Sequence, residues 1–157
     1  MENSLTLPEE QKEALKKGTP VEFIDKRKGA SGMVLSYVDI GYVTSMLNKI
    51  FGHVWTFEIK SSQVIEDQVI VQGCLKVMLK DGTVLTKEQF GSSNIKRAKT
   101  TKQPLSVGDD FKSASSDALK KCASMLGLAS DVYFPRLHQK VQAIKAEQGK
   151  ASDNPEL

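Results

Sequence analysis

The segment Phe111-Lys-Ser-Ala-Ser-Ser-Asp-Ala-Leu-Lys-Lys-Cys-Ala-Ser-Met-Leu-Gly127 has the period of an amphipathic helix. Its apolar and small residues recur every three or four positions and predict a face packed on a core: Phe111, Ala114, Ala118, Leu119, Cys122, Met125 and Leu126. Gly127 lies where a left-handed residue ends a helix. The polar face carries Lys112, Ser116 and Lys120 at i, i+4 and i+8. Such a row of ammonium and hydroxyl groups suits a polyanion, although a solvated lysine face is the ordinary alternative.

The composition predicts one soluble globular domain with a real core, because the chain has 157 residues of which 39% are hydrophobic and 26% charged. No apolar run approaches the ~20 residues that cross a membrane, and the first residues lack a secretory signal. The net charge of +3 permits nucleic-acid binding without arguing strongly for it. Cys74 and Cys122 lie in predicted elements, where we expect small buried side chains in a reducing compartment.

End signals predict the elements of the first third of the chain. Pro8, an acidic first turn and a basic last turn predict a helix from residue 8 to 17. The basic, glycine-bearing segment 25–32 is expected to be an irregular and mobile loop. The apolar residues 33–38 favour a strand. Asp39 then predicts the N-cap of a helix that ends at Gly52.

Alternating apolar and polar residues predict an antiparallel three-stranded meander with strands near residues 55–59, 69–80 and 83–90. Asp81-Gly82 is the strongest hairpin signal in the chain. A two-residue loop at this point would place Lys76 opposite Lys87, a pairing of like charges that is unfavourable unless an anion lies nearby or both side chains point into water. Together with the helices, this meander predicts an α+β fold.

The segment 91–108 is predicted as a loop with a one-signed charge cluster. Four cations fall within seven residues, and no acid accompanies them: Lys96, Arg97, Lys99 and Lys102. Such a cluster is a polyanion footprint, while a solvated flexible loop is the alternative. Ser106 with Asp109 resembles a capping box for the next helix. Beyond this helix we expect a turn at 131–135 and a last helix over 137–147.

The sequence contains no set of residues with the spacing of a common catalytic or metal site. His53 and His138 have no partner at metal or triad spacing, and the two cysteines are not part of a zinc motif. No glycine-rich phosphate loop is present. Asp109 and Asp110 are explained by their position at a helix start. We therefore expect a protein that is not an enzyme and uses no metal, ATP or other cofactor.

Five motifs in order resemble the annealing domain of the Rad52 family, and phage Sak-type annealing proteins are similar. They are Tyr37-Val-Asp-Ile, residues 43–52 with Trp55 just beyond, Val77-Met-Leu-Lys-Asp-Gly82, Phe90-Gly91-Ser92-Ser93, and Asp117-Ala-Leu-Lys-Lys121 with Leu126-Gly127. The resemblance runs from about residue 21 to 128. It implies a β-β-β-α core, assembly into rings or arcs, and binding of single-stranded DNA in a groove around the oligomer without ATP.

The resemblance also implies site residues. The family places a cation in the loop before its tyrosine motif, and Arg27 lies ten residues before Tyr37. The family's two basic residues after Asp-Gly-Leu correspond to Lys120 and Lys121, while a further basic residue one helical turn later is replaced by Ser124. The expected inner groove consists of Arg27, Lys120, Lys121, Lys112, Ser116, Tyr37 and Lys26. The expected second DNA surface consists of Lys96, Arg97, Lys99 and Lys102.

These observations predict a single-strand annealing protein, because annealing needs phosphates held while base edges stay free. Aromatic residues make up only 6% of the chain, so it lacks the stacking platforms of binders that sequester bases. Trp55 is expected in the core, and Tyr37 is left open as a base-stacking residue. A DNA-end-protecting ring of the same fold is the alternative, followed by an interaction module or an unrecognised enzyme. A duplex-specific reader is disfavoured, because the lysine helix lacks base-reading side chains.

The resemblance divides the chain into an annealing domain over 1–136, with its core at about 21–128, and a C-terminal helix and flexible tail over 137–157. The expected partners are single-stranded DNA and further copies of this chain, and a host single-strand-binding protein is a third candidate. The long C-terminal extension of eukaryotic members is missing, which fits a stand-alone annealer in the cytoplasm of a bacterial or phage-infected cell, associated with the nucleoid.

Overall fold

Three strands of eleven residues each form the centre of the fold. A computed structural model of the chain describes residues 6–152, and the elements in order are α1 Glu9–Lys16, β1 Ile24–Lys28, β2 Val34–Val38, α2 Ile40–Phe51, β3 Trp55–Ile65, β4 Gln68–Met78, β5 Val84–Asn94, α3 Val107–Ser124, α4 Ser130–Tyr133 and α5 Pro135–Ser152. Strands β3, β4 and β5 form one antiparallel sheet, and β1 and β2 form a separate hairpin. The predicted α+β class and the β-β-β-α order are confirmed.

The central strand β4 provides the buried face of the sheet. Its alternate residues Val69, Val71, Leu75 and Val77 have no exposed surface, as expected for a strand with one face against a helix. Helices α2 and α3 contribute further fully buried side chains to the same side. Cys74 and Cys122 are both buried and unpaired, as predicted.

Helix α3 lies unusually close to the sheet, and two glycines allow it. A Cβ added to Gly91 would lie 2.2 Å from the backbone nitrogen of Ala118 and 2.3 Å from the carbonyl oxygen of Ala114. A Cβ at Gly73 would lie 3.0 Å from the Cβ of Ala118 and would overlap the ring of Phe57. Both strands can approach the helix backbone only because they carry no side chain here.

The predicted ends of the helices are largely confirmed. The Oγ of Ser106 accepts a hydrogen bond of 3.4 Å from the Asp109 amide at the start of α3. Asp39 accepts one of 3.1 Å from the Tyr42 amide at the start of α2. After α3, Gly127 adopts a φ of +109°, the positive value that favours glycine.

The β4–β5 hairpin differs from the predicted two-residue turn. The Leu79 amide donates to the Thr83 carbonyl over 2.8 Å, and the Gly82 amide donates to the Leu79 carbonyl over 2.9 Å. The loop therefore contains three residues, 80–82, and Gly82 has a φ of +85°. This arrangement is the common three-residue hairpin, in which a turn is followed by one left-handed residue.

The longer loop shifts the strand register by one residue, and the predicted pairing of Lys76 with Lys87 is wrong. Lys76 lies opposite Thr86. Its Nζ forms an ion pair of 2.9 Å with Glu58 on the other neighbouring strand. No anion is needed to separate two opposed lysines at this point.

Two segments predicted as loops contain strands. Residues 24–28 form β1 and pair with β2, so segment 25–32 is a hairpin whose turn contains Ser31 and Gly32 with positive φ. The residues of β1 do not alternate between apolar and polar, and the sequence pattern therefore did not predict this strand. Strand β5 continues to Asn94, and an antiparallel bridge between Arg97 and Pro104 orders the segment between β5 and α3.

The C-terminal part is more helical than predicted. The turn expected at 131–135 contains the short helix α4, and α5 extends beyond the predicted 137–147 at both ends. Helix α5 begins at Pro135 and therefore includes residue 136, where the sequence placed the domain boundary. The division into an annealing domain and a C-terminal part stays a prediction. The end of the predicted tail, residues 153–157, lies outside the described residues. Between residues 6 and 152, no helix has the length and apolar character needed to cross a membrane.

We predict that Gly91→Ala destabilises the fold by about 3 kcal/mol or more, because the added methyl group collides with helix backbone that cannot rotate away. Urea denaturation followed by circular dichroism measures the change. Gly108→Ala is the control, since a Cβ at that helical position meets no atom within 4 Å and raises helix propensity. Equal midpoints for the two variants would contradict the close approach.

Candidate nucleic-acid interface

Arg27 lines three neighbouring depressions on the surface between the β1–β2 hairpin, β5 and α3, with volumes of about 640, 320 and 400 Å³. We name the 320 Å³ depression the Arg27 groove; it is lined by Arg27, Tyr37, Ser92, Ser93, Lys96, Ser113, Asp117 and Lys120. The largest depression shares Arg27, Tyr37 and Asp117 with this groove and adds Lys121, Tyr133 and His138. The fold thus brings residues from four separate elements to one surface.

Two cations of the groove contact the same aromatic ring. The guanidinium carbon of Arg27 lies 5.9 Å from the centroid of the Tyr37 ring, and the Nζ of Lys120 lies 5.2 Å from it. The register of the hairpin pairs Arg27 with Leu35, which makes Tyr37 its diagonal neighbour. Both distances are within the range of cation–π attraction. The ring therefore offsets part of the repulsion between two like charges.

Neither Arg27 nor Lys120 forms an ion pair with a carboxylate among residues 6–152. Partial burial lowers the pKa of Lys120 below the ordinary lysine value, and the neighbouring charge of Arg27 adds to this effect, while Asp117 opposes it. A partly buried ammonium group is stabilised more by a nearby anion than a fully solvated one is. Arg27 and Lys120 are therefore cations of this surface whose charge no ion pair neutralises.

Lys121 is in a different electrostatic state from its neighbour Lys120. Its Nζ lies 3.0 Å from the Oδ2 of Asp117, four residues earlier on the helix. The same Oδ2 accepts a hydrogen bond of 3.0 Å from the backbone amide of Ser92 on β5. The Asp117 side chain is only 16% exposed. The carboxylate therefore joins the helix to the strand and neutralises one of the two predicted phosphate ligands.

Of the four cations predicted to form a second DNA surface, Lys96 lines the Arg27 groove. Its backbone amide donates to the Oδ2 of Asp110 over 3.3 Å, and this carboxylate is fully buried at the start of α3. The helix dipole favours a negative charge there. Sequence reasoning assigned Asp110 to the helix start and missed its contact with the Lys96 backbone.

Arg97 is held in place by partners within the chain. Its Nη2 lies 3.2 Å from Asp67 in the β3–β4 turn, and its Nη1 donates to the Lys102 carbonyl over 3.1 Å. These contacts give Arg97 partners within the chain, so it is not a free surface cation. Lys99 and Lys102 are exposed on this segment and line none of the three depressions.

The remaining predicted residues do not line the three depressions. Lys26 is exposed on β1, and Ser116 is partly exposed on α3. Lys112 pairs with Asp109 over 3.3 Å at the exposed start of the helix. Ser124 is buried, and its hydroxyl donates to the Lys121 carbonyl over 2.7 Å. It therefore occupies a packing position below the polar face.

Ser92 and Ser93 line the groove but were not predicted as site residues, whereas Ser113 was expected on the polar face of the helix, and the carboxylate of Asp117 was not expected to take part in the site. The first two were placed in a loop, although Gly91 before them signals a close backbone approach when it occurs in a strand. In the described part of the chain, no three His, Cys, Asp or Glu side chains are grouped as a metal site. Hydroxyl and ammonium donors thus dominate the surface.

A family model described as Rad52/22 family double-strand break repair protein matches residues 8–151 of the chain. The match includes all residues of the Arg27 groove, and the resemblance expected from the motifs is confirmed. No curated protein matches the chain.

We predict that Tyr37→Phe binds single-stranded DNA like the unmodified protein, because the phenyl ring keeps both cation contacts. Tyr37→Leu removes them and should lower the affinity by up to about 30-fold, since two contacts of about 0.5–1 kcal/mol each set the upper limit of what the placement of the two cations contributes. Fluorescence anisotropy with labelled oligothymidine measures binding, and circular dichroism checks folding.

An abasic oligonucleotide distinguishes the two roles left open for Tyr37. If the ring places cations, the Leu variant loses affinity for abasic and normal strands alike. If the ring stacks on bases, the abasic strand binds both proteins equally, and the electrostatic role is wrong.

Proposed function

Because this chain belongs to the Rad52/22 family of double-strand break repair proteins, we propose that it binds single-stranded DNA along the Arg27 groove and anneals complementary strands without ATP. The observation that carries the proposal is the pair of cations on the Tyr37 ring, neither of which forms an ion pair with a carboxylate among the described residues. Free cations concentrated at one place are the ordinary requirement for phosphate binding.

In this proposal Arg27, Lys120 and Lys96 hold successive phosphates of one strand. The hydroxyl groups of Ser92, Ser93 and Ser113 lie in the same groove and supply neutral donors, which position a backbone without reading sequence. Among the described residues, Tyr37 is the only aromatic one lining the groove, and its ring already contacts two cations. The bases are therefore left unstacked by the protein and free to find a complement.

We also propose that the active form is a homo-oligomer, in which grooves of neighbouring copies follow one strand. The sheet exposes large apolar side chains at its hairpin end: Met78 is 52% exposed and Val84 is 50% exposed, next to Val54 at 55%. A patch of this kind typically marks a protein interface. The phage or bacterial setting and the host single-strand-binding partner stay predictions from the sequence.

We predict that the protein accelerates annealing of complementary oligonucleotides without any nucleotide cofactor, and prefers single strands to duplex. Lys120→Ala should suppress annealing and reduce the slope of log affinity against log salt by about 0.7, the value for one lost phosphate contact on a single strand. Arg27→Ala is a parallel test, and Lys145→Ala on the exposed face of α5 is the control. Equal affinity for duplex, or binding that is insensitive to salt, would refute the groove. Tight binding without annealing would favour the end-protecting alternative.

We predict an assembly well above the 17.3 kDa of one chain at micromolar concentration. Met78→Glu should dissociate it, because a charge on the apolar patch is costly to bury and the side chain is half exposed in the single chain. Sedimentation velocity and mass photometry measure the size. Lys80→Glu, in the adjoining turn, serves as the charge control. A monomer that anneals at full rate would exclude the oligomer as the active form.

A further inference from the structure

We propose that Asp117 limits the affinity of the Arg27 groove for DNA by holding Lys121 in an ion pair, so that a bound strand stays exchangeable. This inference rests on the proposed function. It assigns an affinity-setting role to a carboxylate in the middle of a cationic surface, where a negative charge is otherwise unfavourable for a polyanion.

The geometry places Asp117 at the junction of two depressions. It lines both the Arg27 groove and the 640 Å³ depression that contains Lys121. The Lys121 side chain is 42% exposed, so its ammonium group lies near enough to solvent to reach a phosphate if released. Within residues 6–152, Lys121 is the only lysine that lines the larger depression. The ion pair therefore withholds a cation from the DNA surface.

Structural needs account for an oxygen acceptor at position 117 but not for its charge. The Ser92 amide must be satisfied where β5 meets α3, and the amide oxygen of an asparagine would accept the same hydrogen bond. A single ion pair on one helix face stabilises a helix only slightly. The negative charge consequently has its main effect on the neighbouring cations.

Annealing gives a physical reason for limiting the number of free cations. Each phosphate contact releases counterions and makes dissociation slower. A strand held by too many contacts cannot shift along the groove to find its register with a complement. With Lys121 neutralised, the groove holds its strand through Arg27, Lys96 and Lys120.

The test is Asp117→Asn, which keeps the acceptor for Ser92 and removes the charge. Binding of single-stranded oligothymidine should become roughly three- to tenfold tighter near 0.1 M salt, and the salt slope should steepen by about 0.7 as Lys121 gains a phosphate. Stopped-flow dissociation should slow, and annealing at saturating protein should slow with it.

Asp109→Asn is a matched control on the same helix. It breaks the Asp109–Lys112 ion pair, which lies outside the groove, and should leave the salt slope unchanged. The double variant Asp117→Asn with Lys121→Ala should return to the affinity of the unmodified protein. A gain that persists without Lys121 would show that the released lysine is not the cause and would overturn the proposal.

A comparison of Lys121→Ala with Lys120→Ala tests the same idea with Asp117 intact, in case the Asn variant is unstable. Lys121→Ala should change the salt slope by less than half as much as Lys120→Ala, since its charge is already paired. Equal losses would overturn the proposal. If the unmodified protein fails to bind single-stranded DNA at all, the proposed function fails, and this outcome is separate from the role of Asp117.

Discussion

The close approach of α3 to the sheet is the constraint on which the groove depends. Gly73 and Gly91 remove side chains from the strands, and Ala114 and Ala118 keep the facing helix surface small. The helix backbone can then lie against β5, and the amide of Ser92 reaches the carboxylate of the helix. Any larger side chain at these contacts would lift the helix and separate the strand from the cations that the helix carries.

Local charge states matter more on this surface than the net charge of +3. The hairpin brings an arginine and a tyrosine together as diagonal neighbours, and α3 adds Lys120 to the same ring. Two like charges at such distances repel each other, and partial burial adds to the cost of keeping Lys120 charged. The ring attraction offsets part of this cost, and an incoming phosphate would offset more. The groove is therefore an unsaturated cationic site that is prepared for an anion.

Periodicity and end signals predicted most of the fold. The apolar stripe of α3 from Phe111 to Cys122, the N-cap at Ser106 and the left-handed Gly127 depend on local sequence, which is why they were correct. Met125 was predicted on the buried face, but it follows the last helical residue and is 44% exposed. The position of the hairpin at residues 80–82 was predicted correctly, but its loop is one residue longer than predicted. This extra residue shifts the register and places Lys76 opposite Thr86. The edge strand Ile24–Lys28 was missed because both its faces are polar. Local pattern cannot determine register or edge pairing, since these depend on neighbours distant in sequence.

The same limit explains why the sequence could not separate free cations from cations that are paired with acids. Lys120 and Lys121 are adjacent and chemically identical, yet one lies over an aromatic ring and the other against a carboxylate. Arg97 belongs to the richest cationic segment, but Asp67 from a distant turn holds it in a structural role. Only the three-dimensional positions of the acids separate cations that stabilise the fold from cations that are free to bind. The location of acidic partners, rather than the density of lysine and arginine, therefore determines which cations on this protein keep an unneutralised charge.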